Sequence, residues 1–156
     1  MINIEVDSQH VQAALDRLAA GASDLRPAMR KIAATLADIT EENFSQQGRP
    51  RWQALAQPTL LLRRQQRKDG SGKFRILQDT GSLASSVTTR HDDNSATIGS
   101  NKVYAAIHQF GGNAGRGKKV KIPARPYLPL TTSEQLQPEA RDEVIDTINR
   151  HLLSLL

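Results

Sequence analysis

Cysteine is absent from this 156-residue chain, which excludes disulfides and any thiolate-ligated zinc site. Aromatic residues are scarce: one Trp, two Tyr and three Phe, 4% of the sequence. No stretch approaches the ~20 apolar residues that a membrane-spanning helix needs. The opening MINIEVDSQH lacks a basic region followed by an apolar run and does not read as a signal peptide. Hydrophobic residues make up 38%. That modest share predicts a thin core and at least one arm that is solvated or covered by a partner. The expectation is one soluble domain over residues 1–156, made in the cytoplasm. No repeat recurs at a period of about 20–50 residues, which excludes a solenoid.

Catalytic patterns are missing as well. His10, His91, His108 and His151 fall in four different elements, with no His-x-x-x-His or Glu-x-x-His pairing to hold a metal. Asp79-Thr80-Gly81-Ser82 matches the Asp-Thr-Gly of aspartic proteases, but those need a dyad from two copies and a flap in a strand-dominated chain. Here Ser82 reads as a helix cap, with Asp79 and Thr80 making a local turn. There is no Gly-x-Ser-x-Gly elbow, and "DGSGK" lacks the spacing and context of a phosphate-binding loop. A histidine on a short helix, such as His108, more often packs or hydrogen-bonds than serves as a general base. Trp52, between Arg51 and Gln53, has the chemistry to stack on a nucleobase. The plainer reading is that it pins a loop onto the longest helix.

What is present is uneven charge. The net +5 hides an acidic start, seven acids against four bases over residues 1–48, and an acidic end, five against two from Glu134. Between them lie two basic arms. Residues 49–75 carry eight bases, among them Arg63, Arg64, Arg67 and Lys68, against Asp69 alone. Residues 102–125 carry six, including Lys118, Lys119, Lys121 and Arg125, with no acid. The layout suits non-specific contact with DNA, or a ring in which one subunit's arm lies on its neighbour's acidic face.

Periodicity sets the elements. "INIEV" alternates like a strand; a helix capped by Ser8 follows and ends at Gly21. A second helix runs from about Leu25, with Asp24 as its cap, to near Phe44; Met29, Ile32, Leu36, Ile39 and Asn43 or Phe44 form its stripe. Residues 45–58 read as loop, "TLLLRRQQRK" as a short basic helix and "DGSGK" as a flexible tip. "FRIL" reads as extended, "DTGSLASSV" as a turn opening a short helix, and "VTTRH" with "ATIG" as a hairpin across Asp92–Ser95. Residues 113–121 read as a mobile Gly- and Lys-rich loop, and "KIPARPYLPL" as an extended return. A last helix starts near Pro138, with Val144 or Ile145, Ile148, Leu152 and Leu155 as its stripe. The class is α+β: long helices packed on a small antiparallel β-sheet, with extended arms at about 45–75 and 112–122.

Half of the aromatics lie in "VYAAIHQFGGNAGRGKKVKIPARPYL", residues 103–128. As a short helix, Tyr104, Ile107 or His108, and Phe110 or Gly111 share one side, and Gly111 then supplies the left-handed stop before Gly112. The outcome is a tightly seated clip, a basic loop and a rigid Pro-bearing return.

Four segments stand in order: Trp52 to Thr59 ("WQALAQPT"), "ILQDTGSLASSV" at 76–87, "ATIGSNKVYAAIHQFGG" at 96–112 and "IPARPYLPL" at 122–130. Together they resemble the phage virion morphogenesis, or tail completion, family of contractile-tailed phages and prophages. The resemblance implies a non-enzymatic structural protein of the virion, acting at the head–tail junction or tail end after assembly in the host cytoplasm. It implies no cofactor, catalytic residue or membrane contact. The implied partners are other head, neck or tail proteins and further copies of the chain in a ring. It marks Trp52, Asp79, Thr80, Gly81, Leu83, Tyr104, His108, Phe110, Gly111, Gly112, Pro123, Arg125, Pro126 and Tyr127 as determinants of fold and assembly. A nucleic-acid-binding module using both basic arms is the alternative.

Overall fold

The computed structural model describes residues 8–66 and 74–156. The expected strand over residues 2–6, the Ser8 side chain, Arg67, Lys68 and the tip at 69–73 lie outside the described residues. Helices α1 (Ser8–Ser23), α2 (Arg26–Ser45) and α3 (Gln57–Gln66) precede strands β1 (Val87–His91) and β2 (Ala96–Ser100). Then come α4 (Ala105–Phe110), β3 (Gly112–Ala114), β4 (Val120–Ile122) and α5 (Pro138–Leu153). The class is α+β, as the sequence implies. Among the described residues its strands form two separate antiparallel hairpins, β1–β2 and β3–β4.

Helix α2 organises the molecule, touching α5, β1 and β2. Its stripe is buried throughout, from Ala28 and Met29 to Asn43 and Phe44. Met29, Ile32, Leu36 and Ile39 pack with Ala140 and the half-buried Val144 and Ile148 of α5, and with Ala96 and Ile98 of β2. Val144, rather than Ile145, is therefore the inward residue; Ile145 is exposed. A second cluster joins Phe44 to Trp52, Ile76, Leu83, Ala105 and Tyr127. Phe44 meets the Trp52 ring edge-on at 5.9 Å and lies 5.3 Å from the Tyr127 ring.

Several expectations are corrected. Helix α1 passes through Gly21 to Ser23. Glycine serves a close approach there, because a Cβ at Gly21 would overlap the Leu155 side chain. Asp24 does not cap α2: Leu25 holds the N-cap position without a side-chain hydrogen bond. Helix α3 starts at Gln57, inside the stretch read as loop. "FRIL" is a turn rather than an extended segment, with Leu77 at φ 60° and Ile76 buried. Ser82 caps nothing. The short 3₁₀ turn Ala84–Ser86 begins after Leu83, and the Ser82 amide instead donates to Thr80 Oγ1 at 3.3 Å. Residues 113–121 form most of the β3–β4 hairpin, with Asn113 opposite Lys121 and a 3₁₀ turn at Arg116–Lys118. Its glycines, Gly115 and Gly117, sit at positive φ and make the turn that their number had suggested was looseness.

Candidate functional site

The return "ARPYL" is an extended segment whose backbone groups have no neighbouring strand among the described residues, and side chains satisfy them. Gln109, buried on α4, does so: its Oε1 accepts from the amides of Tyr127 and Leu128, each at 3.0 Å, and its Nε2 donates to Leu130 O at 3.0 Å. Asn43 Nδ2 donates to Tyr127 O at 3.2 Å and to Gln137 Oε1 at 3.3 Å. Trp52 Nε1 donates to Pro126 O at 2.9 Å. The Trp52 loop is thereby pinned to both α2 and the return, as the plainer reading of Trp52 required. Gln109 and Gln137 escaped the sequence reading because an amide side chain carries no pattern until its backbone partners are known.

Arg125 is buried and, among the described residues, has no carboxylate partner. Its Nε donates to Gln53 O at 3.0 Å and its Nη2 to Ala54 O at 3.1 Å. The planar fork ties the loop after Trp52 to the return, a geometry an ammonium cannot copy. Burial, and secondarily Arg63, lowers the proton affinity of this guanidinium. The Arg125 amide also donates to His108 O at 2.8 Å. Gly111 closes α4 at φ 76°, where a Cβ would lie 2.8 Å from Ala124 N. The predicted stop is therefore also a point of contact between clip and return. Gly112 follows at φ 146° and opens β3.

These ties frame a cleft of about 360 Å³ between α3, α4 and β4. Leu55, Leu77, Leu83, Tyr104, Val120, Ile122 and Pro123 supply apolar wall; Arg63, Lys121, Arg125, His108, Thr80 and Asp79 supply polar groups. The structure thus gathers Asp79, Thr80, Leu83, Tyr104, His108, Pro123 and Arg125 at one place. Trp52 and Tyr127 form its buried floor cluster with Leu83, and Phe110 lies exposed outside it. Gly81 adopts φ 72° in the turn before Leu83.

The electrostatics are those of a scaffold with a cationic lip. Arg63 turns inward: it donates to Arg75 O at 3.0 Å and lies 3.5 Å from the Asp79 carboxylate. Arg64 points to solvent. His108 stacks edge-on with Tyr104 at 5.8 Å, and its Nδ1 is buried without a hydrogen-bond partner. Burial, and then the Arg125 charge, holds the imidazole below its ordinary range. Three cations against one carboxylate leave an excess of two positive charges around the cleft. Lys118, Lys119 and Lys121 are exposed and, among the described residues, have no ion pair. No group of three or more His, Asp or Glu residues arranged to hold a metal occurs among the described residues, nor does a helix long and apolar enough to cross a membrane.

The model of the phage virion morphogenesis family matches residues 6–153. A Mu-like prophage FluMu G protein 2 of Haemophilus influenzae is 42% identical over 138 residues, covering 86% of this chain and 88% of that protein. The putative capsid assembly protein G of Escherichia phage Mu is 36% identical over 161 aligned positions, covering 99% and 96%. No solved structure matches the chain.

Proposed function

The chain belongs to the phage virion morphogenesis family, and on that premise we propose that it is a non-enzymatic structural subunit that completes the tail or joins head to tail. One observation carries the reading: four of the polar and aromatic motif side chains are spent on holding segments of the chain together. Arg125 is committed to two carbonyls, Asp79 to Arg63, Trp52 to Pro126 O and Tyr127 to the core. A catalytic site would keep such groups unspent and directed at a substrate. What remains outward is an apolar cleft with a cationic lip, a surface suited to another protein. The partners in this reading are other head, neck or tail proteins and further copies of the chain, and its place is the virion. The naming of one relative as a capsid assembly protein is in keeping with it.

The test is genetic and visual. Removing the coding sequence from the phage or prophage that carries it is expected to leave heads and tails that accumulate unjoined under negative-stain electron microscopy. Intact infectious particles would overturn the reading. Tyr104→Ala with a normal thermal unfolding curve should reproduce the defect in part, because Tyr104 lines the cleft while half exposed.

A further inference from the structure

Between the Arg49–Pro50 loop, the return and the start of α5 lies a cavity of about 490 Å³. Three proline rings, Pro50, Pro126 and Pro138, form its apolar wall. Proline holds its φ fixed, so the wall stands before anything binds and its ordering costs an incoming group little. Pro50, Thr132, Pro138 and Glu139 are exposed, which opens the cavity to solvent. Its rim is acidic. Arg49, which lines it, lies 2.9 Å from both the Glu139 and the Glu42 carboxylates. Two carboxylates against one guanidinium leave one negative charge in excess, and both carboxylates are about half exposed.

The group that fits is apolar with cations beside it, and the chain presents one. Val120 is 55% exposed at the start of β4, directly after Lys118 and Lys119. With Arg116, these residues crown the β3–β4 hairpin and are all exposed. Lys118 is left-handed at φ 54° and Lys119 is right-handed helical, so strand alternation does not send the two lysines to the face opposite Val120. Gly115 and Gly117 set the turn at positive φ, and the hairpin offers these side chains on a defined support. A nucleic-acid backbone engages lysines but leaves the valine beside them bare. A proline-walled cavity with carboxylates at its mouth engages both.

We propose that the β3–β4 hairpin of one copy docks on a second copy of this chain, with Val120 seated in the cavity walled by Pro50, Pro126 and Pro138 and with Lys118 and Lys119 facing Glu139 and Glu42. The lysine stems cover apolar surface at the rim while their ammonium groups reach the carboxylates. Hairpin and cavity are different patches of the chain, so the contact runs head to tail, the kind that closes a ring or extends a filament. Because Val120 also edges the cleft, the docked neighbour borders that cleft as well. The inference rests on the reading as an assembly subunit, and it names the contact through which copies join.

The absence of cysteine makes the test direct. Single variants Val120→Cys and Thr132→Cys, purified separately, are mixed and oxidised with copper phenanthroline, and the joined peptides are identified by mass spectrometry. The expected product is a dimer joined between positions 120 and 132, at several times the yield obtained when Thr89→Cys, exposed on β1, replaces Thr132→Cys. Equal yields would overturn the proposal. So would joining that appears only after a short duplex DNA is added, which would assign the hairpin to phosphate. A chain carrying both cysteines should link between copies into a ladder of oligomers; one that closes only on itself as a monomer would refute the contact. Sedimentation of variants with normal thermal unfolding supplies a second reading. Val120→Ser should weaken self-association about tenfold. Lys119→Glu and Glu139→Lys should each weaken it about threefold, and their combination should recover it. A combination weaker than either single variant would refute the pairing. Neither measurement needs a virion, so a failed cross-link leaves the virion role standing, and intact particles without the gene would not abolish the cross-link.

Discussion

Arg125 and His108 set what single residues do here. Arg125→Ala strips two donors from backbone carbonyls in a water-poor corner and should cost about 2–3 kcal/mol, read as a lower urea midpoint with unchanged slope. Arg125→Lys should recover less than half, since one ammonium cannot meet Gln53 O and Ala54 O in a fork. His108 has a folded pKa held below its unfolded value by burial and by Arg125. The unfolded chain therefore binds the proton more readily, and the stability contributed by the neutral ring is complete above about pH 6.5. It is lost as the pH falls through the lower folded pKa. Urea unfolding between pH 7.5 and 5 should show His108→Gln with a flatter pH dependence than the parent. At this scale the sequence named residues of the return without showing what they touch. "RPY" gives no sign that its arginine turns inward, because the carbonyls that receive it lie some seventy positions away.

Elements were legible where one side chain period dominates. The α2 stripe emerges as read because burial follows the 3.6-residue period directly, and the β1–β2 hairpin emerges because the polar turn Asp92–Ser95 separates its two strands. The β3–β4 hairpin did not, because strands of three residues are too short to display alternation and their glycines resemble those of a loose loop. Glycine carries opposite meanings at two element ends. Gly111 sits at φ 76° against the Ala124 backbone, so Gly111→Ala should cost at least ~1–3 kcal/mol and unseat α4 from the return. Gly21 sits within a helix against the movable end of Leu155. Gly21→Ala gains helix propensity while displacing that side chain, and its net effect should stay within about 1 kcal/mol. Thermal unfolding of the two variants side by side checks the contrast.

Charge is the property of the whole molecule that the sequence displayed best and located least well. The acids of α5 are largely engaged at home: Arg150 lies 2.8 Å from Asp146, Arg141 pairs with Asp142, and Arg49 bridges Glu42 and Glu139. The C-terminal acidic face imagined as a neighbour's docking surface is thus mostly spoken for, while Arg63 and Arg125 have left the basic arms for the interior. Among the described residues, Arg51, Arg64 and Arg75 stay outward from the first arm and the cationic β3–β4 hairpin from the second. Self-association through these exposed cations should weaken between about 0.1 M and 0.5 M salt, where the screening length contracts to a few ångströms, and should be indifferent to a short duplex DNA. Light scattering under both conditions measures this; a mass that rises only with DNA and reverts at high salt would assign the lysines to phosphate.

The amide of Gln109 has a consequence for exchange with deuterated solvent. By accepting from two successive backbone amides and donating to a third residue's carbonyl, one side chain does for the return what an adjacent strand does in a sheet. The amide hydrogens of Tyr127 and Leu128 should accordingly exchange as slowly as those of α2, although no strand among the described residues neighbours them. In Gln109→Leu the pair should lose protection together, while the amides of β1 and β2 keep theirs.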